Sequence, residues 1–234
     1  MSRFDLVIFD CDGVLVDSER ITNQIFCNML NELGLAVTLG DMFERFVGHS
    51  MQQCIEIITE LRGSPPPESF VPLLRSRAAE ALKEQIKPIS GVAETLKVLS
   101  VPYCVASSGE HPKIRLTLGA TGLLPSFEGR IFSVTDVERP KPAPDVFLFA
   151  ARQLGAIPAR CAVVEDTPTG VRAAVAAGMH VFGFSANTPE HRLKEAGAHE
   201  IFSEMQLFPQ LLNDAQQGVP ADRPRLASLG SSGR

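Results

Sequence analysis

Short apolar runs rich in β-branched and aromatic residues recur along the chain, and each ends next to a polar residue. The runs lie at 4–9, 103–106, 130–133, 161–164 and 180–184. Residues 92–99, 146–154 and 171–177 have helical spacing. Ser90 is predicted as the N-cap of the first helix, and Thr167-Pro168 as the start of the last. The alternation of buried strands with helices predicts an α/β fold with a doubly wound parallel sheet covered on both faces. Functional side chains gather at the carboxyl ends of the strands in such a sheet.

Residues 18 to 87 interrupt this alternation. Apolar residues recur at helical spacing over 21–33 and 54–61, and a third helix is predicted over 68–85. A strand, then a long helical stretch, then strands again indicates an all-helical domain inserted after the first strand. The last stretch is rich in Pro, Ser and Gly and has no periodicity, which is typical of a flexible tail. The predicted division is 1–16 with 88–212 for the α/β core, 17–87 for the helical domain, and 213–234 for the tail.

Charge and cysteine usage narrow the possible partners. The chain has 22 Lys and Arg against 27 Asp and Glu, a net charge of −5, and no basic cluster. We therefore expect neither nucleic acid nor a membrane as a partner. Asp10 and Asp12 interrupt the first apolar run too early for a signal peptide, and no run has the length of a membrane span. The five cysteines are scattered singly, as expected for core residues in a reducing compartment, so a cytoplasmic location is predicted. The sequence does not indicate an oligomeric state.

The strongest local signal is the segment Asp10-Cys11-Asp12-Gly13 at the end of the first apolar run. Two acids two residues apart at a strand end face a common site, and their repulsion raises one pKa or requires a cation. A hard divalent ion such as Mg²⁺ meets this requirement and would also neutralise phosphate oxygens. An EF-hand calcium loop needs further acids at fixed spacing, whereas Val-Leu-Val follows here.

Four motifs, in chain order, resemble those of the haloacid dehalogenase (HAD) superfamily. The segment 10–13 resembles its first motif, and Ser107, which ends a predicted strand, resembles its second. Lys141 within Lys-Pro-Ala-Pro resembles the third motif, and the pair Glu165-Asp166 after another strand resembles the fourth. Each motif alone is weak, but together they span nearly the whole predicted core. The resemblance is to capped members similar to β-phosphoglucomutase and phosphoglycolate phosphatase.

This resemblance implies a phosphohydrolase that acts on a small phosphorylated metabolite. Asp10 would be the nucleophile that forms an aspartyl-phosphate, and Asp12 would transfer protons to the leaving oxygen and from water. Ser107, with its neighbour Ser108, would donate hydrogen bonds to the phosphoryl group, and Lys141 would supply a fixed positive charge. Structural roles are also possible from the residues alone: Ser107 as a helix cap and Lys141 as a solvated loop charge.

The resemblance also implies Mg²⁺ as the cofactor. Its expected ligands are Asp10, the backbone carbonyl of Asp12, and Asp166, with Glu165 acting through a coordinated water. From the residues alone, the acidic pair at 165–166 could instead cap the following helix.

The position of the inserted helices matches the cap domain of one HAD subclass, which closes over the site and contributes to specificity. In capped relatives a glycine-containing loop reaches into the active site. The segment 46–50 is the matching loop here, and Gly48, His49 and Ser50 are expected to contact the substrate. Alternatively, Ser50 only caps the next helix.

Two other functions compete with a phosphatase. A β-phosphoglucomutase-like enzyme carries a cap histidine ten residues after the second acid, where this chain has Thr22, which favours hydrolysis. A non-catalytic ligand-binding protein of the HAD fold would be expected to lack a motif residue, and none is missing. Within the superfamily, an acid at Asp12 disfavours dehalogenase and phosphonatase activity. The remaining substrate classes are sugar phosphates, phosphoglycolate and nucleotides.

Overall fold

The computed structural model describes residues 3–46 and 51–218. Within these ranges a sheet of six parallel strands has the order β3-β2-β1-β4-β5-β6. The strands are β1 Leu6–Phe9, β2 Tyr103–Ser107, β3 Ile131–Ser133, β4 Cys161–Glu165, β5 His180–Phe184 and β6 Glu200–Phe202. The predicted doubly wound α/β fold is confirmed, and β6 is an addition to the predicted strands.

Strand β1 lies at the centre of the sheet and every one of its residues is buried. Because side chains alternate across a strand, Val7 and Phe9 join the hydrophobic cluster on one face, while Leu6 and Ile8 join the cluster on the other. Phe9 pairs in register with residues of both β2 and β4. The chain segments that follow these three strands therefore emerge together at one edge of the sheet.

In the described part of the insertion, four helices lie between β1 and the rest of the core and form a hydrophobic cluster of their own. They are α1 Glu19–Glu32, α2 Leu39–Arg45, α3 Met51–Arg62 and α4 Phe70–Gln85. The Phe26 ring lies 5.4 Å from the Phe46 ring and 6.0 Å from the Phe70 ring, so one side chain joins three segments of the insertion. The inserted helical cap is confirmed, and α2 is a helix that the apolar spacing did not predict. The residue boundaries of the domains stay a prediction.

The helices of the α/β core cover both faces of the sheet. They are α5 Val92–Val98, α6 His111–Ala120, α7 Leu124–Phe127, α8 Asp145–Gln153, α9 Pro168–Ala176, α10 Glu190–Glu195 and α11 Phe208–Gln216. In the ranges that the structure describes, no helix has both the length and the apolar character needed to span a bilayer.

Two details of the structure differ from the prediction, and one agrees with it. Gly91, not Ser90, is the N-cap of α5; its φ of +84° lies in the left-handed region that favours glycine, and an added Cβ would lie 2.4 Å from the Gln206 side chain. The flexible tail is predicted from about residue 213, whereas α11 continues through Gln216, because Ala215 packs in the core. Helix α9 begins at Pro168, in agreement with the predicted start at Thr167-Pro168, and the Thr167 hydroxyl caps it by accepting a hydrogen bond from the Gly170 N–H at 3.1 Å.

Candidate active site

Asp10 follows β1 directly and lies at the carboxyl edge of the sheet. Its backbone N–H donates to the Val164 carbonyl at 3.0 Å, which ties the segment to β4. Its Oδ1 accepts a hydrogen bond from Lys141 Nζ at 2.6 Å. Burial raises the pKa of Asp10 to about 7; Lys141 opposes this rise and Glu165 adds to it. The carboxylate is thus a buried group whose charged form depends on nearby cations.

Lys141 is held by three oxygens in the interior. Its Nζ lies 2.6 Å from Asp10 Oδ1, 2.8 Å from Glu165 Oε1 and 3.1 Å from the Ala106 carbonyl, and its side chain is 4 % exposed. Burial lowers the pKa of Lys141, but Asp10 and Glu165 outweigh burial and raise it above its ordinary value. The interpretation of Lys141 as a solvated loop charge is therefore wrong. Its ammonium is a fixed positive charge between Asp10 of the first motif and Glu165 of the fourth.

Both oxygens of Glu165 face donors of the protein. Oε1 accepts from Lys141, and Oε2 accepts from the backbone N–H and the hydroxyl of Thr167, each at 3.0 Å. A Cβ at Gly170 would lie 1.7 Å from Oε1, so the first turn of α9 leaves no room for a side chain there. Glu165 therefore anchors Lys141 to the N-terminus of α9. It is Thr167, not the acidic pair, whose side chain caps this helix.

Asp166 is the least satisfied acid of the site. It is 2 % exposed, and in the part of the chain that the structure describes its Oδ1 has no hydrogen-bond partner. Burial raises the pKa of Asp166 well above its ordinary value, and Glu165 and Asp10 raise it further. Gly13, with φ +79°, packs so closely that an added Cβ would lie 2.0 Å from Asp166 Oδ2. A buried carboxylate oxygen without a donor, among other carboxylates, costs free energy that a cation would relieve.

The donor set fits a hard divalent cation. Asp10 and Asp166 provide carboxylate oxygens, the ligand type that Mg²⁺ prefers, and backbone carbonyls and waters commonly complete its shell. Among the described residues, no group of three or more His, Cys, Asp and Glu side chains is arranged to hold a metal. A cation held here would therefore need backbone carbonyls and waters to complete its shell.

Ser107 ends β2 and is buried, and its Oγ accepts a hydrogen bond from the Gly109 N–H at 3.0 Å. The N-cap of α6 is Glu110, so the interpretation of Ser107 as a helix cap is wrong. Ser108, the next residue, is exposed and lines the adjacent cavity. The structure thus brings the second motif to the same edge of the sheet as Asp10.

Asp12 is held by two residues that the motifs do not include. Its Oδ1 accepts a short hydrogen bond from the Ser18 hydroxyl, and its Oδ2 accepts from Lys113 Nζ at 2.7 Å. Burial lowers the pKa of Lys113, but Asp12 outweighs burial and raises it above its ordinary value. Lys113 and Ser18 thus donate to both oxygens of Asp12, the second acid of the first motif, and fix the orientation of its side chain.

A cavity of about 930 Å³ lies between the inserted helices and this edge of the sheet. From the core it is lined by Asp12, Ser108 and Lys113. From the inserted helices come apolar side chains, Phe26, Phe46, Met51, Cys54, Leu74 and Leu82, and the polar residues Glu19, Thr22, Asn23 and Arg75. The predicted substrate contacts Gly48, His49 and Ser50 lie outside the described residues.

The sequence from residue 7 to 184 matches the family model described as haloacid dehalogenase-like hydrolase. The chain belongs to this family. The matched residues include all four motifs.

Relatives of this HAD-like hydrolase include phosphatases and a mutase. The 6-phosphogluconate phosphatase of Escherichia coli is 31% identical, over 90% of this chain and 96% of that protein. The β-phosphoglucomutase of Bacillus subtilis is 28% identical, over 78% and 84%. A HAD-like protein of unknown function from Agrobacterium tumefaciens has a solved structure with 37% identity and a TM-score of 0.83, covering 91% of this chain and 99% of that one. The prediction of a HAD-type phosphatase is confirmed at the level of family and enzyme class.

Two polar residues at the site of this HAD-like hydrolase, Ser18 and Lys113, are not marked by any sequence pattern. Ser18 precedes α1 by one position, and its small hydroxyl side chain at a predicted cap boundary carried no catalytic pattern. Lys113 lies 101 positions from Asp12. A lysine in the turn just after the second motif was the one available signal for it.

Proposed function

We propose that the chain is a Mg²⁺-dependent phosphatase that hydrolyses a small phosphorylated metabolite through an aspartyl-phosphate on Asp10. Sugar phosphates are the first substrate class to test, because one relative is a 6-phosphogluconate phosphatase. The observation that carries the proposal is the buried Asp10 carboxylate, held by Lys141 at 2.6 Å beside an Asp166 oxygen that has no donor among the described residues.

The first step transfers the phosphoryl group to Asp10. Lys141 holds Oδ1, so Oδ2 is the oxygen that attacks phosphorus. The ester P–O bond breaks as the new bond forms, and Asp12, which enters this step in its protonated form, gives that proton to the leaving oxygen. Lys141 and the Ser107 hydroxyl stabilise the charge that spreads over the phosphoryl oxygens.

The second step returns Asp10 to its starting state. Asp12, now deprotonated, accepts a proton from a water molecule that attacks phosphorus. The bond between phosphorus and Asp10 breaks, and inorganic phosphate leaves.

Asp10, Asp166 and the backbone carbonyl of Asp12 are the residues that would hold Mg²⁺, with Glu165 acting through a water. When bound, the ion would neutralise phosphoryl oxygens and the repulsion between the acids. The interaction of Glu165 with Lys141 and Thr167 supports its indirect role, because both of its oxygens already accept hydrogen bonds.

A mutase is the second candidate, since β-phosphoglucomutase is among the relatives. A mutase needs a proton-transfer group on the cap side, and Thr22 occupies the matching position. Its hydroxyl donates to the carbonyls of Ser18 and Glu19, each at 3.1 Å, within the first turn of α1. A hydroxyl engaged in this way is a poor acid or base near neutral pH, which supports hydrolysis over isomerisation.

The test is phosphate release from a panel of phosphate esters that includes 6-phosphogluconate, with Mg²⁺ or EDTA. We expect phosphate release that depends on Mg²⁺ and is absent from the Asp10→Asn variant. A coupled assay with β-glucose 1-phosphate and a bisphosphate primer checks the mutase: isomerisation faster than phosphate release would contradict the proposal. A ligand-binding protein without activity would release no phosphate from any ester. The cytoplasmic location stays a prediction to be tested separately.

A further inference from the structure

We propose that Lys113 is the positioning residue for proton transfer by Asp12. This role rests on the proposed phosphatase function. Lys113 Nζ donates to Asp12 Oδ2 at 2.7 Å, and both residues line the cavity between cap and core. None of the four motifs contains Lys113, and it reaches the site from α6 rather than from a strand end.

Lys113 lies at a position of its helix where a positive charge is unfavourable. It lies in the first turn of α6, a ten-residue helix with no acidic residue in that turn and no side-chain cap at Glu110. The N-terminus of a helix carries partial positive charge and disfavours a cation. Asp12 is the ion-pair partner that the structure gives Lys113, so its favourable interaction is with the site and not with its own helix.

Lys113 and Ser18 together fix the orientation of the Asp12 carboxylate. Lys113 donates to one oxygen and Ser18 to the other, so rotation of the carboxylate would break two hydrogen bonds. Holding a reactive group in place before the reaction lowers the entropy that is lost at the transition state. Lys113 keeps all its protons throughout: the proton that reaches the leaving oxygen, as the ester P–O bond breaks, comes from Asp12.

This role predicts a dependence on the leaving group. Phenyl phosphate and 4-nitrophenyl phosphate have nearly the same shape, but phenolate is the poorer leaving group and needs the proton more. Lys113→Met should lower kcat/KM for phenyl phosphate about tenfold or more, and for 4-nitrophenyl phosphate less than about threefold, since general acid catalysis contributes roughly 10²–10⁴-fold. Lys113→Arg keeps a cation within reach and should recover most of the phenyl phosphate activity.

Three comparisons separate positioning from other roles. Lys194→Met, which removes an exposed lysine of α10, should leave both esters unaffected. In an Asp12→Asn background, Lys113→Met should cause no further loss, because residues that act through one another are not additive. Thermal unfolding checks that each variant folds, and Lys113→Gln replaces Lys113→Met if the latter does not.

Equal losses for both esters, or a further loss in the Asp12→Asn background, would show that Lys113 acts on binding or on the phosphoryl group and would overturn the proposal. A wild-type protein inert towards both esters and towards every ester of the panel would contradict the phosphatase function itself, and the role of Lys113 with it. An active wild type whose ester preference is unchanged in Lys113→Met would overturn the role of Lys113 alone.

Discussion

Removing the buried ammonium of Lys141 should strongly destabilise the protein. The change Lys141→Met keeps the length and apolar volume of the side chain but leaves Asp10 and Glu165 without the cation that lies 2.6 and 2.8 Å away. Removing one partner of a buried ion pair typically costs about 3–5 kcal/mol, because the remaining charge is stranded in the interior. For a chain of this size such a loss lowers Tm by roughly 6–20 °C.

The loss should grow with pH. Burial already raises the pKa of Asp10 to about 7 although Lys141 opposes the rise, so removing Lys141 raises it further. A carboxyl whose pKa is higher in the folded than in the unfolded state contributes stability that is fully present below the unfolded pKa and is lost as pH rises through the folded pKa. The difference between wild type and variant should therefore be smaller at about pH 5.5 than at about pH 8.

Thermal unfolding in EDTA, at both pH values, measures this effect without bound metal. Lys194→Met is the matched control, because its exposed pair with Glu190 at 3.8 Å should contribute less than about 0.5 kcal/mol. Adding Asp10→Asn to Lys141→Met should recover part of the lost stability, since it removes one stranded charge. A Tm for Lys141→Met within about 2 °C of wild type at both pH values would refute the reasoning.

Three further predictions concern the acids around the site. Asp166→Asn should abolish the stabilisation by Mg²⁺, which for wild type at a hundredfold excess of Mg²⁺ over Kd is about 2.7 kcal/mol. Differential scanning fluorimetry with and without Mg²⁺ measures this, and a Tm shift in the variant equal to that of wild type would exclude Asp166 as a ligand. Gly13→Ala should lower both Tm and Mg²⁺ affinity, because the new Cβ would lie 2.0 Å from Asp166 Oδ2 and the φ of residue 13 is +79°. A variant with the same Tm and the same Mg²⁺ affinity as wild type would contradict this. Asp12→Ala should reduce turnover roughly 10²–10⁴-fold but keep part of the Mg²⁺ affinity, because the backbone carbonyl of residue 12 is the proposed ligand. Equal losses of turnover and of Mg²⁺ affinity would show that the Asp12 side chain is the ligand instead.

The fold could be predicted where the chain carries strong periodic signals. The buried strands β1, β2, β4 and β5 are continuous apolar runs, and their ends agree with the predicted ones to within about two residues. Strand β6 has only three residues, Glu200–Phe202, and lies at the edge of the sheet beside one neighbour. Three residues are too few to distinguish a strand from a loop by their apolar pattern. The predicted tail begins at about residue 213, because the last stretch is rich in Pro, Ser and Gly, whereas α11 continues to Gln216 and Ala215 packs in the core.

Caps and ion pairs were harder to predict than strands. A serine before a helix is a common N-cap, yet the N-cap of α5 is Gly91, whose positive φ and close contact with Gln206 favour glycine. The pairing of Asp12 with Lys113 joins residues 101 positions apart, and only the register of β1 against β2 brings them together. Asp10, Ser107 and the pair Glu165-Asp166 could be located from sequence because each lies at the end of a strand, and Lys141 because it stands in a Lys-Pro-Ala-Pro segment. Ser18 and Lys113, which hold Asp12, lie at the N-termini of α1 and α6, where no sequence pattern marked them.

Detecting a phosphoryl group on Asp10 tests the proposed chemistry most directly. Wild type and Asp12→Asn are mixed with 4-nitrophenyl phosphate and Mg²⁺, quenched in acid, digested, and analysed by mass spectrometry. We expect one phosphoryl group on the peptide that contains Asp10, with more of it in Asp12→Asn, because the base for the second step is missing. Asp10→Asn should fold, carry no phosphoryl group and retain less than about a hundredth of wild-type activity. Turnover by wild type with the phosphoryl group on another residue, or substantial activity of Asp10→Asn, would contradict the aspartyl-phosphate mechanism.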